Sequence, residues 1–505
     1  MLRLDGMRGA VTASSREAAD AGVHVLRAGG NAVDAAIAAA LATGVADPSN
    51  AGLGGYGGFM LVGRRGEPVR CIQFPLTAPS NRSPDALVCR HPAFGPACSS
   101  VPNVVAGLAS AAREFATLPW SILVQPAIDL AHEGVVANVP TRRALDLCRG
   151  LPFVTECFVV TEDGSASEAR VTFRQPALAA TLEALAERGP EWFYAGPLAG
   201  AAQRALRDVG SDISPEDWRR GETIESVVAP TLDCNGMRIF AASLGLSGSA
   251  SLFAMYTAAS RIGAQRSLTE PKAIADLASA MASIWQFRFA TSGGNDLSNA
   301  DVERWVDDAL AYAGESAVTP DISHTAHLNA VDDDGMMVAL SFTLGHAPFG
   351  GRWAIPGSGV IMNAGMHNFT GAPVVRRNGR WVGLSNMTPT IAEDVDGSRI
   401  AVGCPGARRI PSNIAMALAW RRLAGFSLQQ AVSAGRMHAE DRQRVSCETG
   451  RLGDACTQAL RSSFPVVEDE TGESYYGPLT AIRYSPTGVE LALDDRLFNG
   501  FGARA

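Results

Sequence analysis

The run His324-Thr325-Ala326-His327 places a threonine at the start of a segment able to form a strand, and a threonine there can do chemistry. Its hydroxyl is a weak nucleophile unless a base stands beside it. If the chain is cut between His324 and Thr325, the freed α-amino group, with a pKa of about 7.7–8.0, can be that base. Such a protein must first cut itself. The next residues run to Asp334-Gly335, a hairpin turn signal, and on to Met336-Met337-Val338-Ala339-Leu340-Ser341-Phe342-Thr343. A hairpin centred on Asp334 sets Thr325 opposite Thr343. Taken alone, this segment reads first as an ordinary hairpin whose threonines decorate a sheet; the rest of the chain reverses that reading.

Several elements must hold the hairpin. Residues 15–28 read as a helix stopped by Gly29-Gly30, and Asn31 reads as the N-cap of an alanine-rich helix over 32–42, with Asp34 in its first turn. That second helix is apolar almost all round, so it belongs between layers. Gly52-Leu53-Gly54-Gly55-Tyr56-Gly57-Gly58 precedes a strand at Phe59-Met60-Leu61-Val62. It does not open a helix after a strand, and it lacks a following Gly-Lys-Ser/Thr, so close backbone packing is expected and not a phosphate loop. Residues 101–320 read as helix-rich, with amphipathic runs at 175–188 and 270–287. Strands are expected again from Thr325 onward: the hairpin, then 358–363, 389–392, 400–403, 481–484 and 489–493. Long helices with buried strands predict a layered α/β/β/α sandwich.

Composition narrows the partners. The 505 residues carry a net charge of −8 without a basic stripe, which argues against nucleic acid. Lys272 is the one lysine, so the arginine excess reads as genome composition. No run is apolar and long enough to span a membrane, and Met1 to Gly9 shows no leader-like apolar stretch, so a cytoplasmic location is expected. Nine cysteines without paired metal spacing suit reduced structural thiols, and no His, Cys, Asp and Glu cluster suggests a metal. No metal and no organic cofactor are expected.

Over nearly its whole length the chain resembles the gamma-glutamyltranspeptidase family. The likeness rests on Gly29-Gly30-Asn31-Ala32-Val33-Asp34-Ala35-Ala36, the Gly52–Met60 region, Val101-Pro102-Asn103-Val104-Val105-Ala106-Gly107-Leu108 and Leu118-Pro119-Trp120. Further matches are Gln125-Pro126-Ala127-Ile128, Ala131-His132-Glu133-Gly134, Phe193-Tyr194-Ala195-Gly196-Pro197, Pro356-Gly357-Ser358-Gly359-Val360 and Gly403-Cys404-Pro405-Gly406. The resemblance implies an α/β fold of the four-layer αββα, N-terminal-nucleophile hydrolase type, with self-cleavage before Thr325 and acyl transfer through a threonyl ester. Residues 1–324 would become a large subunit and 325–505 a small one, together one αββα domain and a heterodimer of the chain's own pieces. By length share of 52.8 kDa these would run at roughly 34 and 19 kDa.

By the same resemblance Thr325 stands for the nucleophile and Thr343 for the second threonine that supports processing. Gly406 and Ala407 stand where two glycines form an oxyanion hole; alanine keeps the N–H, provided its φ is not strongly positive. Ser385 matches the first of two carboxylate-binding residues, and Asn386 stands where the second is usually serine. Glutamate recognition departs further. Pro75, in Pro75-Leu76-Thr77-Ala78-Pro79, occupies the place of an arginine that pairs with the substrate α-carboxylate, and Asn368 the place of an aspartate for the α-amino group. Gly345 falls where the family often has an asparagine, with His346 as an insertion. Losing one buried charged partner costs about 2–5 kcal/mol of binding. Losing two points to a different substrate, with Arg352, Arg408 or Arg409 as the alternative compensating cation if one is placed for a two-pronged contact.

The expected activity is therefore an acyl-threonine hydrolase acting on a small biosynthetic intermediate, breaking an acyl C–C or amide bond, as relatives in antibiotic pathways do. A conventional γ-glutamyl hydrolase or transpeptidase is the alternative, and a non-catalytic scaffold is the alternative of another class. His367 reads equally as a substrate contact or as surface. His327, two residues past Thr325, reads as a structural hydrogen-bonding group.

Overall fold

The computed structural model describes residues 9–89, 91–163, 170–220, 224–291, 301–314, 323–346, 348–370, 375–377, 379–470, 476–496 and 501–505. Thirteen strands make its two main sheets: β1 (Gly9–Ala13), β2 (Gly57–Gly63), β3 (Arg70–Phe74), β4 (Glu225–Val228), β5 (Thr231–Cys234), β6 (Met237–Ala241), β7 (Ser323–Asp332), β8 (Met337–His346), β9 (Thr390–Asp394), β10 (Arg399–Gly403), β11 (Thr480–Ser485), β12 (Gly488–Leu493) and β13 (Phe501–Arg504). The first sheet runs β13-β1-β7-β8-β2-β3-β4 and the second β12-β11-β10-β9-β6-β5.

The strands sort their side chains by alternation. In β7, Ala326, Leu328 and Ala330 face helices, whereas Val331 lies between the sheets with Met337 and Ala339 of β8. Phe59, Leu61, Ile391, Ala401, Ile482 and Val489 complete that inter-sheet core. Outside the first sheet pack α1 (Arg16–Arg27), α2 (Ala32–Ala46), α3 (Val104–Phe115), α4 (Trp120–Glu133) and α5 (Pro176–Arg188). Outside the second pack α6 (Ser249–Gly263), α7 (Pro271–Thr291), α8 (Arg409–Leu423) and α9 (Asp454–Ser463). The four layers expected from the sequence are present.

Helix starts follow the side chains read as caps. The Ser15 hydroxyl accepts the Ala18 N–H, and Asn31 with Asp34 forms a reciprocal capping box at α2. Every residue of α2 is buried, as its apolar circumference requires. Its N-terminus also meets the hairpin: the Asp332 carboxylate takes the Ala32 N–H through Oδ2 and the Met336 N–H through Oδ1, each at 2.9 Å.

One expectation is corrected. Residues 358–363 form no strand; Gly357 and Gly359 have φ of 73° and 68°, which breaks the extended run and leaves only isolated bridges at Ile361 and Met362. The middle of the chain is helix-rich as expected, with the short strands β4, β5 and β6 set within it, and β6 pairs with β9 in the second sheet.

Candidate active site

The hairpin register is the one Asp334 demands from Val331 opposite Met337 up to Ala326 opposite Phe342. There it shifts, and His324 pairs with Gly345. Thr343 and Leu344 together therefore oppose Thr325, a β-bulge in place of the direct Thr325–Thr343 pair expected from the sequence. The bulge takes the His324–Thr325 peptide out of the regular ladder. By alternation Thr325 and Thr343 share the inter-sheet face, and both are buried. The Thr343 hydroxyl accepts the Gly345 N–H at 2.7 Å.

His327 lies on that face too. Its Nδ1 meets the Ser341 hydroxyl at 2.9 Å and its Nε2 the Asn329 amide oxygen at 3.0 Å; Asn329 in turn donates to Thr12 and to Thr480 in the second sheet. Burial pushes its pKa down to about 4, only partly opposed by Asn329. A neutral imidazole with both nitrogens engaged bonds the two sheets together, in keeping with its structural reading.

The ring of His327 also fixes where β10 arrives. A Cβ on Gly403 would stand 2.2 Å from its Cε1, so only glycine lets the strand end pack there. Arg399, at the other end of β10, donates to the Gly63 carbonyl, and Gly63 pairs with Met337 beside the hairpin turn. The chain after Gly403 is thereby directed toward the Thr325 end of β7. It carries Cys404, Pro405, Gly406 and Ala407 and then enters α8. Among the described residues, no acceptor meets the backbone N–H of Gly406 or of Ala407.

Ala407 is the departure that matters here. Its φ is 55°, in the left-handed region, so the proviso attached to an alanine at this place is not met. The N–H is held at a cost of roughly 1–2 kcal/mol. Arg408 follows it and is anchored: its guanidinium donates to Glu440 Oε2 at 2.9 Å and lies over Phe289. Against the cost of burial, His438 and Arg408 hold the Glu440 carboxyl down at about 2. His438 Nδ1 reaches Ser412 in the first turn of α8 at 2.9 Å. Arg408 is committed to this network and is no spare carboxylate partner.

Ser385 and Asn386 sit just before β9, whose Thr390 pairs with Val402 of β10. A Cβ placed on Gly248 would meet the Thr388 hydroxyl, the Asn386 carbonyl and the ring of Pro411 in α8, so this segment lies against the N-terminus of α8. Buried Arg288 of α7 donates to the Ser385 carbonyl at 3.0 Å and to the Ser251 hydroxyl at 3.2 Å.

The opposite wall comes from the turn Gly365–Phe369. Asn363, fully buried, donates to Gly54 and Ser100 carbonyls and accepts from Ser100 and Gly365, binding three segments into one wall. From that turn Asn368 donates to the Tyr56 hydroxyl at 3.1 Å, and the Tyr56 ring packs 3.0 Å from where a Gly345 Cβ would be. Tyr56 thus joins Asn368 to the residue paired with His324. Sequence reasoning treated it as part of a glycine-rich packing stretch; a single aromatic among four glycines was the available signal. His367, partly exposed, reaches the Ala93 carbonyl at 3.1 Å. Pro75 offers only a carbonyl, which accepts from Asn103, and Leu76, Phe369, Val382 and Met387 beside it belong to one apolar core.

The four layers and the bulged threonine define an enzyme of the N-terminal-nucleophile hydrolase type. The family profile of gamma-glutamyltranspeptidase matches residues 18–500, and the chain belongs to that family. It is 28% identical to the glutathione hydrolase proenzyme of Pseudomonas aeruginosa, over 98% of this chain and 94% of that one. To the glutathione hydrolase proenzyme of Escherichia coli it is 26% identical, over 85% and 81%. Its fold is similar to cephalosporin acylase from Bacillus halodurans, with a TM-score of 0.81 at 23% identity, covering 98% of this chain and 96% of that one. It is also similar to LmbA2991HD, with a TM-score of 0.76 at 21% identity, covering 100% and 99%. Members of the family are processed into two-chain heterodimers and act on small molecules. Among the described residues no helix is long and apolar enough to cross a membrane.

Proposed function

We propose that this chain cuts itself between His324 and Thr325 and then works as a threonine-nucleophile hydrolase on a small biosynthetic intermediate of a secondary-metabolite pathway. The observation that carries the reading is a contrast. Thr325, Thr343 and the N–H pair at Gly406 and Ala407 are kept, while the places of the two charged glutamate-recognising groups hold Pro75 and Asn368. The Thr325 α-amine takes the hydroxyl proton as Oγ attacks the carbonyl carbon, and the oxyanion forms opposite the Gly406 and Ala407 N–H groups. The leaving group departs as an amine, or as a stabilised carbanion if a ketone is cleaved, taking up the proton. Water then hydrolyses the acyl-threonine ester. Thr343 orients the nucleophile. Ser385, held through its carbonyl by Arg288, and Asn386 contact the substrate with Asn368 and His367.

The subunits 1–324 and 325–505 stay together in this reading, supported by β1 and β2 flanking the β7–β8 hairpin and by β6 pairing with β9. A cytoplasmic setting is supported by nine free cysteines, seven of them buried. The primary test is a denaturing gel of the purified protein beside Thr325→Ala, with N-terminal sequencing of the small fragment. Two bands with Thr325 leading the smaller, absent in the variant, are expected; one uncut band in both would sink the proposal in favour of a scaffold. The glutathione hydrolase relatives favour a second reading, conventional γ-glutamyl hydrolysis. Rapid turnover of a γ-glutamyl anilide by the cut protein would establish that instead.

A further inference from the structure

Among the described residues four non-glycine residues hold positive φ, and two of them, Phe349 at 65° and Arg352 at 53°, fall in the short loop that leaves β8. Residues in such conformations persist only where their surroundings impose them, and they gather at ligand sites. The surroundings here are specific. The Asn50 and Ser49 carbonyls, just past α2, accept the Leu344 and Phe349 N–H groups, and the Phe349 carbonyl accepts the Arg352 N–H. The loop is thus pinned at both ends. What it presents is a guanidinium lying 3.8 Å over the ring of Phe94.

The charge of Arg352 has no acidic partner among the described residues. Its Nε donates to the Pro348 carbonyl at 3.3 Å, and no hydrogen bond from its two terminal amino groups is found among the described residues. Beneath Arg352 the Phe94 ring leads on to two histidines. His346 meets Phe94 edge-on at 5.3 Å, and His367 lies 5.5 Å from His346. His346 pairs with Ser323, two residues from Thr325, or about 7 Å along β7. Thr325 and Arg352 are thus linked through His346 and Phe94.

We propose that Arg352, seated on Phe94 beside His346 and His367, binds a planar carboxylate of the substrate while its reacting carbonyl lies at Thr325. A two-pronged guanidinium matches a carboxylate, and the surrounding rings suit a flat, conjugated group better than a tetrahedral α-amino acid head. The substrate class is then an unsaturated or aromatic carboxylate. This rests on Thr325 being the nucleophile, yet it can fail separately.

The test is calorimetric titration of the full-length protein with benzoate and with benzamide as probes, in wild type, Arg352→Met and Arg352→Gly. The glycine variant adopts the positive φ without steric cost while removing the guanidinium, and a thermal melt of each variant checks that it folds. Benzoate is expected to bind more tightly than benzamide in wild type, and both variants to lose about tenfold or more of the benzoate affinity. Equal affinities for the two probes, or benzoate binding unchanged in Arg352→Gly, would overturn the subsite. The cut at Thr325 is read on a gel in the same preparations. An uncut protein that still binds benzoate through Arg352 keeps the anion site and removes its substrate role, whereas a cut protein indifferent to Arg352 removes the site alone.

Discussion

Ala407 holds a conformation that glycine adopts at no steric cost, with its methyl group buried. Only its N–H serves the proposed chemistry, so the methyl is dispensable there. Ala407→Gly should raise stability by about 1 kcal/mol in chemical denaturation and leave self-cleavage intact; a loss of stability would mean that the methyl packs more favourably than the strain costs. The residue types at this place were legible from the sequence, but φ was not, because the angle is imposed by the loop between β10 and α8. Tyr56 was likewise hidden: its role depends on Asn368 and Gly345, each about three hundred residues away in sequence. Arg288 and Glu440 gave no motif at all, since they act on the site only through the carbonyl of Ser385 and the side chain of Arg408.

At the scale of elements, the sheets meet tightly where β10 ends on His327. Gly403→Ala would drive a methyl into the imidazole and force apart the bonds from His327 to Ser341 and Asn329. A loss of about 1–3 kcal/mol is expected, as for other overpacked cores, read as a lowered urea midpoint with unchanged slope. The hairpin register was legible because Asp334-Gly335 fixes the turn and a two-residue period does the rest. The bulge was not, because nothing local to Thr325 encodes it. The short strands β4, β5 and β6 escaped because runs of four or five residues inside helix-rich sequence carry too little periodicity. Residues 358–363 look strand-like by apolar content, yet two left-handed glycines make them a loop.

For the molecule as a whole, two buried groups set opposing responses to acid. His327 is held near 4, below its ordinary value, so the unfolded chain takes up a proton first and stability falls by about 3 kcal/mol as pH drops from 6.5 to 4. Asp47, at the end of α2, is pushed by burial up to about 6, so the folded chain takes up that proton first and stability rises by about 3 kcal/mol over pH 6 to 3.8. In wild type the two contributions nearly cancel. Asp47→Asn should therefore make the urea midpoint drop more steeply between pH 6 and 4 than it does in wild type; an unchanged slope would show that Asp47 does not titrate as its burial dictates.

The pairing of β13 with β1 gives the chain a property beyond its own reaction. The Ala505 N–H donates to the Gly9 carbonyl at 2.9 Å, so the two described ends of the molecule already touch. A short glycine linker from Ala505 to Gly9, with new termini opened between His324 and Thr325, would rearrange the gene without rearranging the fold. Once the initiator methionine is trimmed, that circular permutant is born with Thr325 in first position. The proposed maturation and the proposed turnover would then be separate experiments.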